Sequence, residues 1–296
     1  MMETSALVAS ADACSLIEKQ VDGKVHSVFN NSLNLQFGDR LVHVGSVDEG
    51  LAPFSIGIEP WELNHLLKKI YSGQPVRFNT NQFIFQEARL WMHQVQVTDH
   101  TMPAYSYERE NVTNNIDHLI SSLFEERGQL GFTEINKEAI LHDMLQSSSS
   151  DMVDPMLKKL HELEAMAFEN KYTDPDTMFN FWIGRGQGLT PSGDDLLVGT
   201  CAAMDALGYS NAIFLEQLKS YLQEKGHNRT TNIGYEYLWY AAEKKYHSHV
   251  INMCKSLIKE SKFECLAAVH EMKKIGYTSG MDTLIGMLLG AKRVKG

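Results

Sequence analysis

Residues 184–199, GRGQGLTPSGDDLLVG, gather alternating glycines, a Thr-Pro-Ser run and two adjacent carboxylates into one short span. Glycines allow a left-handed backbone and close approach to a ligand, and a helix that starts just after them aims its free amides back into the loop. The chemistry this composition suits is anion binding. Gly186, Gly188 and Gly193 would supply backbone amides, Arg185 a cation, and Thr190 and Ser192 hydroxyls. Asp194 or Asp195 would then be placed to hold Mg²⁺ or to orient a substrate amine. Phosphoryl or carbamoyl chemistry would fit such a set, and so would simple binding.

Ser192 and Asp195 have the S-x-x-D spacing of a capping box, which makes Asp195 a structural cap and leaves Asp194 surplus to capping. A second copy stands at residues 276–290, GYTSGMDTLIGMLLG, where Thr278, Ser279 and Gly280 repeat the loop end and Asp282 repeats the cap. The two share SGxDxLxG. Both continue into text that is apolar or small all round, the pattern of buried helices whose backbones approach closely. The two helices are therefore expected to pack side by side with their positive ends near one site. The alternative is that both motifs are only good caps on core helices.

Arg229, Thr230 and Thr231 precede another apolar run, residues 233–242. A threonine there can cap the helix, and an arginine fork suits carboxylate or phosphate. The group joins the site only if it faces the glycine loop. Other chemistry is disfavoured: residues 188–193 have P-loop glycine spacing, but Asp194 and Asp195 replace the lysine and hydroxyl. The glycines also miss the dinucleotide fingerprint, and no GxSxG is present. His26, His43 and His93 are expected in strands as surface or satisfied residues. His247 and His249, two apart on a helix, are expected to point to different faces.

The elements that must position these residues follow from pattern. After a short helix to residue 20, residues 25–29, 33–37, 41–44 and 54–58 read as strands, then a Pro60-led helix, then strands to residue 97. Polar text over residues 98–115 marks a boundary, and helical periodicity follows, with Ser147–Ser150 as a linker and Lys292–Lys295 as a solvated basic tail. The expected class is α+β, with a β-rich barrel or sandwich over 1–110 and a mainly helical domain with buried apolar helices over 111–296.

With 43% hydrophobic and 22% charged residues the chain is globular in composition, and its net charge of −10 disfavours a nucleic-acid partner. Four scattered cysteines read as reduced, Glu3 and Asp12 spoil a signal peptide, and no apolar stretch spans a bilayer, so no membrane partner and a cytoplasmic location are expected.

The motifs GRGQGLTPSGDDLLVG, RTTNIGYEYL and GYTSGMDTLIGMLLG, in that order, resemble those of the AllH-like family, long catalogued as a domain of unknown function and associated with oxamate carbamoyltransferase. The resemblance implies a subunit that works with at least two other kinds of subunit to exchange a carbamoyl group between carbamoyl phosphate and oxamate in bacterial purine or allantoin breakdown. It brings no residue roles with it. On chemical grounds Asp194 and Arg229 are the catalytic candidates, and Arg185, Thr190, Ser192, Thr230, Thr231 and Ser279 the anion-binding ones. No cofactor other than Mg²⁺ is suggested. The rival readings are a non-catalytic structural or small-molecule-binding subunit and a metal-dependent phosphohydrolase.

Overall fold

The computed structural model describes residues 1–125, 130–132, 134–145, 154–169, 174–276 and 278–294. The serine run at 147–150 lies outside them, as do Tyr277 and Lys295. The chain divides into two compact units, Met1–His100 and Thr101–Gly296, each with its own apolar core.

The first unit is an eight-stranded barrel. In chain order it runs β1 (Met2–Ser10), α1 (Ala11–Lys19), β2 (Asp22–Val28), β3 (Ser32–Phe37), β4 (Arg40–Ser46), β5 (Ser55–Ile58), α2 (Pro60–Leu67), β6 (Pro75–Asn79), β7 (Gln82–Ile84), β8 (Ala88–Trp91) and β9 (Gln96–Thr98). The sheet order is β5-β4-β3-β2-β6-β7-β8-β1, and pairing of β1 with β5 closes the ring, while β9 adds to the far end of β1. Strict alternation puts Leu33, Leu35 and Phe37 inside, against Val42, Val44 and Ile56 of neighbouring strands. Thr80 and Asn81, at φ 50° and 59°, make the two-residue turn between β6 and β7.

One element differs from expectation. The first nine residues after Met1 are a strand rather than part of a helix, and the helix begins only at Ala11, capped by the Ser10 hydroxyl, which accepts from the Ala13 N–H at 3.1 Å. METSALVAS lacks the branched and aromatic side chains that announce a strand; its place between β5 and β8 decides its conformation. His93 likewise falls in a turn after β8, not in a strand.

The second unit is helical: α3 (Arg109–Glu125), α4 (Lys137–Leu145), α5 (Pro155–Glu169), α6 (Pro175–Trp182), α7 (Ser192–Ala206), α8 (Ala212–Tyr221), a π turn (Leu222–Gly226), α9 (His227–Arg229), α10 (Asn232–Ala242), α11 (Ser248–Leu257), α12 (Lys262–Met272) and α13 (Ser279–Ala291). Residues 102–108 carry no regular element, so the expected division at 110 falls in the first turn of α3. At its centre lie α7 and α13. Every residue of α7 except Asp205 is buried, and every residue of α13 except Ser279.

The carboxy-terminal residues are docked rather than solvated. Arg293 pairs with Glu169 at 2.9 Å, Val294 is buried, and its carbonyl accepts from Arg109 Nε at 2.6 Å. Among the described residues no helix is long and apolar enough to cross a membrane.

Candidate functional site

The two SGxDxLxG helices pack in contact and run parallel, and their glycines make this geometry. A Cβ on Gly199 would collide with the Thr283 carbonyl oxygen, and one on Gly286 with that of Leu196. The contacts are reciprocal, since Gly199 and Gly286 hold the same place in the repeat, as do Leu196 and Thr283. Gly193 and Gly280 repeat the pattern outward, one against the Trp182 carbonyl at the end of α6, the other against the Met272 carbonyl at the end of α12. The amino ends of α7 and α13 therefore lie side by side.

The caps are not the expected ones. Pro191 occupies the N-cap position of α7 and Thr278 that of α13, and neither helix receives a side-chain cap. Proline has no N–H for Asp195 to accept, so the capping box cannot form. The motif side chains cross instead to the other copy. Thr190 and Ser279 hydroxyls meet at 2.7 Å, both bond the Asp195 carboxyl, and Thr278 bonds Asp282. Ser192, fully buried, lies against Asp282 and helps to hold its proton affinity down, although its hydroxyl direction misses a well-formed hydrogen bond. Asp282 accepts from the Gly131 N–H, at 3.2 and 3.3 Å to its two oxygens.

Asp194 is buried, and both its oxygens are engaged. The Gly184 N–H donates to Oδ1 at 2.8 Å and the Thr230 hydroxyl to Oδ2. It thus ties the start of the glycine loop to the turn before α10. Burial pushes the Asp194 carboxyl up to about 7 and Asp282 up to about 6, and it drives Asp195 well up, with the neighbouring Asp282 and Asp194 charges adding to the rise. Among the described residues no group of three or more His, Cys, Asp or Glu side chains could hold a metal ion. With its oxygens taken, Asp194 has no free ligand for the expected Mg²⁺, and we route no step through a metal.

The loop itself is open. Gly186 and Gly188, at φ 103° and 100°, are exposed together with Gln187 and Leu189. Arg185 stacks on Phe181, 4.1 Å from guanidinium carbon to ring centre, and pairs with Glu134 at 2.7 Å. Its Nε is shielded from solvent with no acceptor. Arg185 and Glu134 line a cavity of about 290 Å³ with Lys159, Phe181, Met156 and Asp154.

The Arg229 segment does reach the loop. A Cβ on Gly184 would strike the Arg229 carbonyl oxygen, and the Thr231 hydroxyl donates to the Leu189 carbonyl while capping α10 by accepting from the Gly234 N–H at 2.9 Å. The Arg229 side chain turns elsewhere, exposed and bonded to the Asn180 carbonyl. His247 and His249 do not diverge as expected: His247 precedes α11 as its cap, and the two rings lie 5.0 Å apart. The residues that sequence reasoning missed are Gly131, Glu134 and Lys159, which sit in segments with no motif, and Phe181, whose signal was the aromatic run FNFW just before the loop.

Comparison with known proteins matches the same two regions. Residues 182–291 match the family model of oxamate carbamoyltransferase subunit AllH, and residues 5–98 that of the AllH family N-terminal domain. The chain belongs to the AllH family. The barrel is thus the AllH N-terminal domain, and the AllH model opens at Trp182, the residue whose carbonyl abuts Gly193, and closes at the end of α13. The name of the AllH family makes its members subunits of an oxamate carbamoyltransferase. No solved structure matches the chain.

Proposed function

We propose that this chain is a carbamoyltransferase subunit that binds a small anionic substrate, carbamoyl phosphate or oxamate, where the glycine loop meets the amino ends of α7 and α13. Other subunits of a hetero-oligomer complete the site. The observation that carries this reading is the parallel pairing of the two helices, because it sets two positive helix ends beside one exposed loop of glycine amides. Arg185, with a shielded and unsatisfied Nε at the loop's start, adds a donor that a carboxylate or phosphate oxygen would satisfy.

In the reaction the carbamoyl carbon leaves the phosphate oxygen, which keeps the bonding electrons, and bonds the oxamate nitrogen, which loses a proton. Helix ends and Arg185 favour the negative charge gathering on the phosphate. Asp194 acts as a positioning residue in this scheme: it fixes Gly184 against Thr230 and so holds the loop in shape. Arg229 is exposed next to the loop and is free to swing from the Asn180 carbonyl toward a bound anion. Calorimetric titration of the chain, alone and with its partner subunits, with carbamoyl phosphate, phosphate and oxamate tests the reading. Saturable binding lost in Arg185→Ala is expected; absence of binding in both preparations sinks it.

A second reading is favoured by one observation, the burial of Ser192, Asp194, Asp195 and Asp282 among one another and their neighbours. Under it the motif is scaffold and the subunit is non-catalytic. Asp194→Asn then lowers stability but leaves turnover of the assembled enzyme unchanged, whereas under the first reading turnover falls with loop order.

A further inference from the structure

A groove of about 370 Å³ runs between α3 and α12, made entirely of residues outside the site described above. From α12 it takes Lys262, Leu266, Val269, His270 and Lys273, whose spacing puts them on one helix face. From α3 it takes His118, Ser121, Ser122 and Glu125, again one face. Val269 is buried and Leu266 half-buried, so the groove has an apolar base under a polar rim.

Its charge runs against that of the whole chain. The protein carries 37 acidic and 27 basic residues, yet this hollow sets two lysines and two histidines against one glutamate. The other acids of α12 are neutralised by lysines that do not line it: Glu264 pairs with Lys259 at 2.5 Å and Glu271 with Lys274 at 2.7 Å. Lys262 opens α12 and Lys273 follows its last residue, about 16 Å apart at the helical rise. Their flexible stems allow both ammonium groups to converge on one ligand lying along the helix. Ser121 donates to the Asp117 carbonyl at 2.8 Å, which fixes its oxygen at the groove wall, and Ser122 adds a second hydroxyl.

We propose that this groove is a second anion site, distinct from the glycine loop, and that it binds a small organic phosphate. Donors arriving from two helices suit the several oxygens of a phosphate better than the single plane of a carboxylate. The apolar base and the volume, within the range of small-molecule sites, call for an organic portion resting on Leu266 and Val269.

The test is calorimetric titration of the full chain with ribose 5-phosphate and, separately, inorganic phosphate. Expected is one-site binding of ribose 5-phosphate that weakens with salt, falls about tenfold or more in the double variant Lys262→Gln/Lys273→Gln, and persists in Arg185→Ala. Both lysines sit at helix ends on the surface, and circular dichroism of the variant checks that the fold survives. No saturable binding, binding that the double variant retains, or binding that Arg185→Ala removes would each overturn the proposal. Equal affinity for inorganic phosphate would overturn its organic part. The Arg185→Ala arm keeps this outcome separate from that of the glycine-loop reading.

Discussion

Asp194, Asp195 and Asp282 are acids without a cation beside them in the printed geometry of the site, held in place by hydroxyls and backbone N–H groups. The sign of their pH effect follows from burial. Each native carboxyl binds its proton more tightly than the unfolded chain does near pH 4, so the native state carries extra protons above that pH. The stability they contribute is complete below about pH 4 and is lost as pH rises through about 6 for Asp282 and about 7 for Asp194. Urea midpoints should therefore fall between pH 5 and pH 8, and Asp282→Asn should flatten the decline around pH 6; a variant with the parental slope would remove Asp282 from this role. Thr230→Val, which takes away the hydroxyl donated to Asp194, should cost about 1–2 kcal/mol in the same measurement at pH 8. The sequence marked these residues but not their partners. S-x-x-D spacing pointed each acid to its own helix start, and only the meeting of the two copies in space reveals that they bond across to Thr190, Ser279 and Gly131.

At the scale of elements, the α7–α13 pair depends on hydrogen atoms where other residues carry a Cβ. Gly199→Ala drives a methyl into the Thr283 carbonyl, backbone that cannot rotate away, and should cost about 3 kcal/mol or more in a thermal melt. Gly188→Ala makes an informative contrast: its surroundings are open but its φ of 100° disfavours alanine, so about 1–2 kcal/mol of strain falls on the exposed loop. If the loop binds anions, Gly188→Ala should weaken carbamoyl phosphate binding while the melt shifts by only a few degrees; unaltered affinity would argue against the loop. This pairing was legible, because SGxDxLxG repeated in two apolar segments announces two buried helices with matching small residues. β1 was not, because Met2–Ser10 takes its conformation from β5, β8 and β9 and has little strand preference of its own.

For the molecule as a whole, the barrel and the helical unit have separate cores, and β1 closes the barrel. Removal of residues 1–10 should open the barrel and abolish its unfolding transition, while the far-ultraviolet helical signal of Thr101–Gly296 persists; loss of both together would show that the helical unit depends on the barrel. The barrel is half of what defines the AllH family, yet the paired glycines and acids all belong to the other unit. That unit has a consequence built into its reciprocal contacts. Gly199 on Thr283 and Gly286 on Leu196 is the arrangement two identical chains present across a twofold axis. Identical chains must change together, but two halves of one polypeptide need not. Where the first half has Asp194 the second has Met281, and only the first is led by the open glycine loop. Joining the halves has let one specialise while the other keeps it in shape.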